Sequence, residues 1–133
     1  MDIIKIFKTD VRNLSKIEHY NFDDRYVCNR KGEIFRVKEI SPDFFMAVKM
    51  SPFITKVGYV EYVLTDKDGN KKHVLTQRVV AYLFLPKPKS KLHIEVNHRD
   101  GNKENNYYKN LHWVTKSYNI THMHGMYKDK SRK

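Results

Sequence analysis

The chain has 133 residues, 40% of them hydrophobic and 31% charged, which suits one domain with a modest core. No apolar run approaches the length that crosses a bilayer, and the first residues lack the pattern of a signal peptide, so we expect a cytoplasmic protein with no membrane partner. The single cysteine, Cys28, excludes a disulfide framework and a cysteine-ligated structural zinc site.

The formal net charge of +11 is unevenly distributed along the chain. Residues 87–133 hold eleven of the 26 lysines and arginines but only four of the fifteen acidic residues. Such a basic region favours a polyanionic partner, although charge by itself fits simple solvation equally well. An anionic membrane surface is a weaker alternative, because the sequence has no strongly amphipathic basic helix.

The N-terminal residues show an apolar pattern of helical period. Ile3, Phe7, Val11 and Leu14 recur at helical spacing, which predicts an amphipathic helix over residues 2–17. From Asp24 onward the pattern changes to short strands. Residues 25–29 and 33–40 flank a turn signal, as do residues 57–65 and 71–75, which predicts two antiparallel hairpins.

A short apolar segment follows the second predicted hairpin. Residues 77–85 are apolar nearly all round, which predicts a buried helix with Thr76 as its N-cap and Pro86 as its stop. Residues 86–91 are the one linker-like stretch in the sequence. They lead into the region that carries the chemistry.

The C-terminal region reads as strand, loop, strand and helix. Residues 92–97 alternate as a half-exposed strand does, and His98 stands at the strand's end. Residues 111–115 are the predicted returning strand, and residues 116–124 are a predicted helix that places Asn119 and His122 on one face.

Residues 96–119 carry an ordered series of polar residues. It reads V-N-H-x-D-G-N-x-x-N-N, then N-L-x-W-V-T, then an asparagine four residues past that threonine. On these residues the chain resembles the HNH endonucleases, which have the ββα-metal fold, and in particular the small phage and intron-encoded homing enzymes. Residues 24–38 and 77–89 also look like segments that precede the motif in those enzymes.

The resemblance implies an α+β fold with N-terminal antiparallel β hairpins, a short buried helix and a C-terminal ββα-metal motif. We assign residues 1–20 to an N-terminal helical extension and residues 21–90 to a β-rich module with one helix that contacts DNA. The nuclease motif covers residues 91–125, and a basic tail covers residues 126–133.

The resemblance also implies a role for each polar residue of the motif. His98 occupies the position of the general base, and Asn97 and Asn119 occupy the positions that hold one Mg²⁺ or Mn²⁺ ion. Asn110 orients the loop, and His122 is a candidate contact to phosphate or to water. Adjacent strand residues point to opposite faces, so Asn97 and His98 can serve opposite sides of one phosphate.

Double-stranded DNA is the implied substrate. One site of this kind cuts one strand, so a monomer nicks, and double-strand cleavage needs a homodimer or a second cleavage event. The cations that we expect to bind DNA are Lys87, Lys89, Lys91, Arg99, Lys103, Lys109 and Lys116.

One feature departs from many relatives, which have Asp where this chain has Asn97. Both proposed ligands are then neutral amides, so we expect weak metal binding until a DNA phosphate supplies negative charge. A non-catalytic basic DNA-binding module that keeps the motif as a scaffold is the main alternative. A colicin-like or RNA-directed nuclease is a weaker one, because such sites carry more histidine ligands near the C-terminus.

Overall fold

The first part of the chain forms a five-stranded antiparallel sheet in the computed structural model, which describes residues 2–92 and 94–116. The sheet pairs its strands in the order β1-β5-β4-β3-β2, which puts the two N-terminal strands at its edges. The predicted hairpin of residues 25–29 and 33–40 is confirmed. The strands are β1 (Ile3–Phe7), β2 (Val11–Asn13), β3 (Tyr26–Asn29), β4 (Ile34–Glu39) and β5 (Phe44–Lys49).

The predicted helix over residues 2–17 is wrong, and residues 1–20 are not a helical extension. Ile3 to Phe7 pair with Val48 to Phe44 as a strand. Three isoleucines in this stretch favour extended backbone, and pairing satisfies the backbone groups of β5 along its outer edge. Leu14 and Ile17 are buried, but they lie in or beside short 3₁₀ turns that fold under the sheet.

A second sheet and the helix follow in sequence. Strands β6 (Phe53–Ile54), β7 (Val60–Thr65) and β8 (Lys71–Leu75) form a three-stranded antiparallel sheet, which confirms the second predicted hairpin. Helix α1 (Thr76–Phe84) begins directly after β8. Strands β9 (Glu95–His98) and β10 (Leu111–Val114) then pair as a separate hairpin. The predicted helix over residues 116–124 lies outside the described residues apart from Lys116, and the basic tail lies wholly outside them.

Helix α1 lies in the main hydrophobic core, as its composition predicts. Val79, Val80 and Ala81 are fully buried against residues of both sheets and of the β9–β10 hairpin. The predicted N-cap is wrong: the cap position is Leu75, and Thr76 is the first helical residue, with a buried hydroxyl that has no partner among the described residues. Because β8 runs straight into α1, Thr76 points inward. No described helix is long and apolar enough to cross a membrane.

Gly32, in the β3–β4 turn, lies where the sheet meets the helix and the C-terminal hairpin. It has a φ of +86°, and a β-carbon there would lie 2.7 Å from Cγ2 of Thr76 and 3.1 Å from Cβ of Asn106. We expect Gly32→Ala to lower the free energy of unfolding by about 2–4 kcal/mol, because backbone strain and an overpacked contact each cost about 1–3 kcal/mol. Urea denaturation measures the loss.

Gly69 provides the matched control for this substitution. Its φ is +83°, but a β-carbon there would have no heavy atom within 4 Å. Gly69→Ala therefore carries the strain without the crowding and is expected to cost about 1 kcal/mol. Equal losses in the free energy of unfolding for the two variants would show that Thr76 and Asn106 can move aside to accept a β-carbon at Gly32.

Candidate active site

The β9–β10 hairpin is fixed to helix α1 by one arginine. The Arg78 guanidinium donates from Nη1 to the carbonyl oxygen of Ile94 at 2.9 Å, just before β9 begins. The same group lies 5.6 Å from the ring centre of Tyr82 and 5.8 Å from that of Trp113 on β10. Both strands of the hairpin are thereby held against the helix.

The hairpin places Asn97 and His98 at its loop end, where β9 stops and the connecting loop begins. In its antiparallel register Asn97 lies opposite His112 and His98 lies opposite Leu111. Both residues are only 5% exposed. Because side chains alternate along a strand, Asn97 and His98 point to opposite faces of the hairpin, and their contacts differ accordingly.

The loop between the strands is organised around Asp100. Its carboxylate accepts hydrogen bonds from the Asn102 backbone at 2.8 Å, from Nδ2 of Asn105 at 2.8 Å and from Nδ2 of Asn110 at 2.9 Å. The bonds from Asn105 and Asn102 hold the pKa of Asp100 below its usual value, as does the bond from Asn110. Gly101, with a φ of +76°, makes the turn and donates its N–H to the carbonyl of His98 at 2.9 Å. These bonds fix the path of the loop between β9 and β10.

Asn110 lies at the end of the loop, next to β10, and its side chain bonds back across the loop. Its Oδ1 accepts from the backbone N–H of Asp100 at 3.2 Å, and its Nδ2 also donates to the carbonyl of Asn105 at 2.8 Å. Its own carbonyl accepts from the N–H of Arg99 at 2.7 Å. Three side-chain bonds and one backbone bond thus fix the chain on either side of the loop that follows His98.

The imidazole of His98 has a specific partner that the sequence pattern did not indicate. Its Nε2 lies 2.8 Å from Oδ1 of Asn106, which is itself only 4% exposed. An amide oxygen can only accept, so with the amide in this orientation Nε2 carries the proton and Nδ1 of the neutral ring is left as the acceptor. Burial lowers the pKa of His98, against a raising effect of the Asn106 bond, so the ring favours its neutral form.

Tyr59 is a second residue of the site that the sequence pattern did not indicate. Its ring stacks on the His98 ring with 6.2 Å between centroids and 27° between planes. Lys103 holds it there: Nζ lies 4.9 Å from the Tyr59 ring centre and donates to the carbonyl of Val57 at 2.7 Å. Tyr59 precedes His98 by 39 residues, so no local spacing could have found the pair.

Asn97 is the one proposed metal ligand among the described residues, since Asn119 lies outside them, as does His122. Its Nδ2 faces Nε2 of His112 at 3.4 Å, which leaves the amide oxygen as its metal-binding atom. Oxygen donors suit Mg²⁺ and Mn²⁺. Within residues 2–92 and 94–116 no three His, Cys, Asp or Glu side chains cluster as metal ligands. An amide oxygen with no such cluster beside it suits a hard cation whose other ligands include a phosphate. It does not suit zinc.

The cations predicted to bind DNA have different surroundings. Six of the seven are exposed. Lys103 is half-buried, and its Nζ already contacts the Val57 carbonyl and the Tyr59 ring. It therefore stabilises the position of Tyr59 in the site. The exposed ones are Lys87, Lys89 and Lys91 in the segment between α1 and β9, Arg99 and Lys109 in the hairpin loop, and Lys116 after β10.

Comparison with known proteins gives consistent matches. Residues 74–120 match the family model for HNH endonucleases. An uncharacterized HNH endonuclease of Acanthamoeba polyphaga mimivirus, L245, is 39% identical over 99 residues, which cover 74% of this chain and 27% of that protein. The DNA endonuclease I-HmuI of Bacillus phage SP01 is 31% identical over 99 residues, which cover 74% of this chain and 51% of that one.

A solved structure agrees in fold. The structure titled as DNA binding and cleavage by the HNH homing endonuclease I-HmuI superposes with a TM-score of 0.66 and 26% identity. The match covers 87% of this chain and 58% of that chain. The chain spans about half or less of the length of the curated relatives it matches. The mixed α/β fold with mostly antiparallel strands is confirmed.

Proposed function

Because residues 74–120 belong to the HNH endonuclease family, we propose that this protein is a metal-dependent endonuclease that hydrolyses phosphodiester bonds of double-stranded DNA. The observation that carries the proposal is the placement of His98: a buried imidazole at a strand end whose Nε2 is held by Asn106, which leaves Nδ1 as the acceptor, and burial lowers its pKa. Such a group is suited to general-base catalysis near neutral pH. The likeness to I-HmuI supports the further assignment as a phage-type homing enzyme.

His98 takes the proton from the attacking water at Nδ1 in this proposal. Asn106 keeps the ring in the tautomer that the step needs, and its oxygen continues to accept from Nε2–H when the ring becomes cationic. Tyr59 and the loop braced by Asn110 restrict the position of the ring, so that the lone pair stays aimed at one place.

Asn97, together with Asn119, would hold one Mg²⁺ or Mn²⁺ ion through amide oxygens. Such an ion supplies Lewis-acid stabilisation of negative charge on the phosphate and on the leaving oxygen. Neutral amides contribute no charge to attract the cation, so the substrate phosphate completes the site. One chain carries one such site and cuts one strand, so a double-strand break takes a dimer or a second cleavage event.

A plasmid-relaxation assay tests the proposal. We expect the purified protein to convert supercoiled plasmid to the open circle when Mg²⁺ or Mn²⁺ is present and to leave it supercoiled in excess EDTA. Linear product that appears only at high protein concentration is the sign of dimer action. If the protein binds DNA but does not nick it with any divalent ion, the enzyme proposal is wrong. The protein is then a DNA-binding module built on the same scaffold.

A further inference from the structure

An alternating series of cationic and aromatic side chains runs across the junction of the N-terminal sheet, α1 and the hairpin loop. We name it the cation–aromatic ladder, and it comprises Arg12, Phe84, Arg30, Tyr108 and Lys109. The Arg12 and Arg30 guanidinium carbons lie 5.0 and 5.3 Å from the Phe84 ring centre. Arg30 also lies 5.8 Å from the Tyr108 ring centre, and Nζ of Lys109 lies 6.0 Å from it.

The ladder has an uncompensated positive charge. Its three cations are exposed, and none of them forms an ion pair within the part of the chain that the structure describes. The two guanidinium carbons lie 5.0 and 5.3 Å from one ring centre, so they are at most about 10 Å apart, about one Debye length at 0.1 M salt, and they repel each other weakly. A bound anion would relieve that repulsion.

The aromatic rings hold the arginines ready for such an anion. Stacking occupies the flat face of a guanidinium and leaves its in-plane N–H groups free to donate to phosphate oxygens. Arg12 uses one of them on the carbonyl of Leu83, whereas no hydrogen bond from the Arg30 side chain is found among the described residues. The rings are themselves half-buried and already contact these cations, so they are poorer platforms for a nucleic-acid base than a fully exposed ring.

The ladder also leads to the candidate active site. The backbone N–H of Tyr108 donates to the carbonyl of Arg30 at 2.9 Å, which fixes the hairpin loop to the β3–β4 turn. Lys109, at the other end, precedes Asn110, whose carbonyl accepts from Arg99 next to His98. A row of several cations that continues toward the site fits successive phosphates of one strand better than it fits a single small anion.

We propose that the cation–aromatic ladder binds the sugar–phosphate backbone of duplex DNA and guides that strand to His98, an inference that rests on the proposed function. The contacts are to phosphates, so they add affinity and fix position without reading sequence. They assign a DNA-binding role to Arg12 and Arg30, which lie far in sequence from the nuclease motif.

The test measures salt dependence of binding by fluorescence anisotropy with a 30-bp DNA duplex in EDTA, so that no cleavage occurs. The double variant Arg12→Gln, Arg30→Gln is compared with Lys67→Gln, Lys71→Gln, which removes the same charge at the β7–β8 turn. Each phosphate contact contributes about −0.9 to the slope of log K against log salt. The ladder variant is therefore expected to have a slope less steep by about 2, and the control to keep the wild-type slope.

Further variants and ligands separate the possible outcomes. Arg30→Gln alone is expected to change the slope by about 1 with only a small loss of melting temperature, since it removes two exposed cation–π contacts but no described hydrogen bond. Equal slopes for ladder variant and control would overturn the ladder while leaving plasmid nicking intact. Equally tight binding of an RNA duplex would overturn DNA as the partner. If the wild-type protein binds no duplex at all, both the proposed role of the ladder and the proposed function are wrong.

Discussion

His98→Ala is expected to lower the plasmid-nicking rate by about 10²–10⁴-fold, the usual contribution of a positioned general base. The imidazole is the group whose Nδ1 can take a proton from water, and burial lowers its pKa and so favours the neutral form. Binding of DNA should change little, because a neutral ring contributes no charge to phosphate contacts. The measurement is the initial nicking rate at saturating DNA, alongside duplex affinity in EDTA.

His73→Ala is the matched control for this substitution. His73 is an exposed histidine on β8 whose ring contacts Glu61 at 2.5 Å, away from the hairpin. It should nick at the wild-type rate. Because His98 is buried, His98→Asn, which keeps a polar group beside Asn106, serves as a second variant with less risk to folding. Nicking within threefold of wild type in both His98 variants would exclude this residue as the base.

Asn110→Ala is expected to cost about 2–4 kcal/mol of stability and to slow nicking by about 10²-fold. Its side chain makes three hydrogen bonds, to the Asp100 backbone, the Asp100 carboxylate and the Asn105 carbonyl, each contributing about 0.5–1.5 kcal/mol. Losing them frees the loop that follows His98, and a misplacement of about 1 Å can cost about 10²-fold in rate. Urea denaturation and the nicking rate of the folded variant measure the two effects.

Asn102→Ala tests whether this effect belongs to Asn110 rather than to any asparagine of the loop. The Asn102 side chain is exposed and accepts one bond, from the backbone of Glu104 at 3.0 Å. We expect it to cost about 1 kcal/mol or less and to leave the nicking rate close to wild type. If Asn110→Ala proved as mild as this control, the loop would owe its shape to Asp100 and Gly101 instead.

The candidate site is assembled from two distant parts of the chain. Residues 74–120, which match the family model, contain His98, Asn106 and Lys103, but Tyr59 lies outside that stretch. Gly32 also lies outside it, although it packs beside Asn106. The surroundings of the proposed base therefore depend on the upstream strands.

Local patterns predicted much of the fold correctly. Both hairpins, the buried helix and the β9–β10 pair follow from alternation, turn residues and an apolar segment ended by Pro86. The N-terminal helix failed because Ile3 to Phe7 take their conformation from pairing with β5, more than thirty residues away. Thr76 failed as a cap because β8 continues into α1 without a break, which turns its hydroxyl inward.

The sequence by itself determined the family and the positions of His98, Asn97 and Asn110, because the motif fixes their spacing on a hairpin and its loop. Only the tertiary structure decided which groups surround them. Asn106 meets His98 through a folded loop, Tyr59 stacks on it from the turn before β7, and Arg12 and Arg30 share the ring of Phe84. These contacts join residues whose separation along the chain has no period, so they exist only once the sheets and α1 have packed.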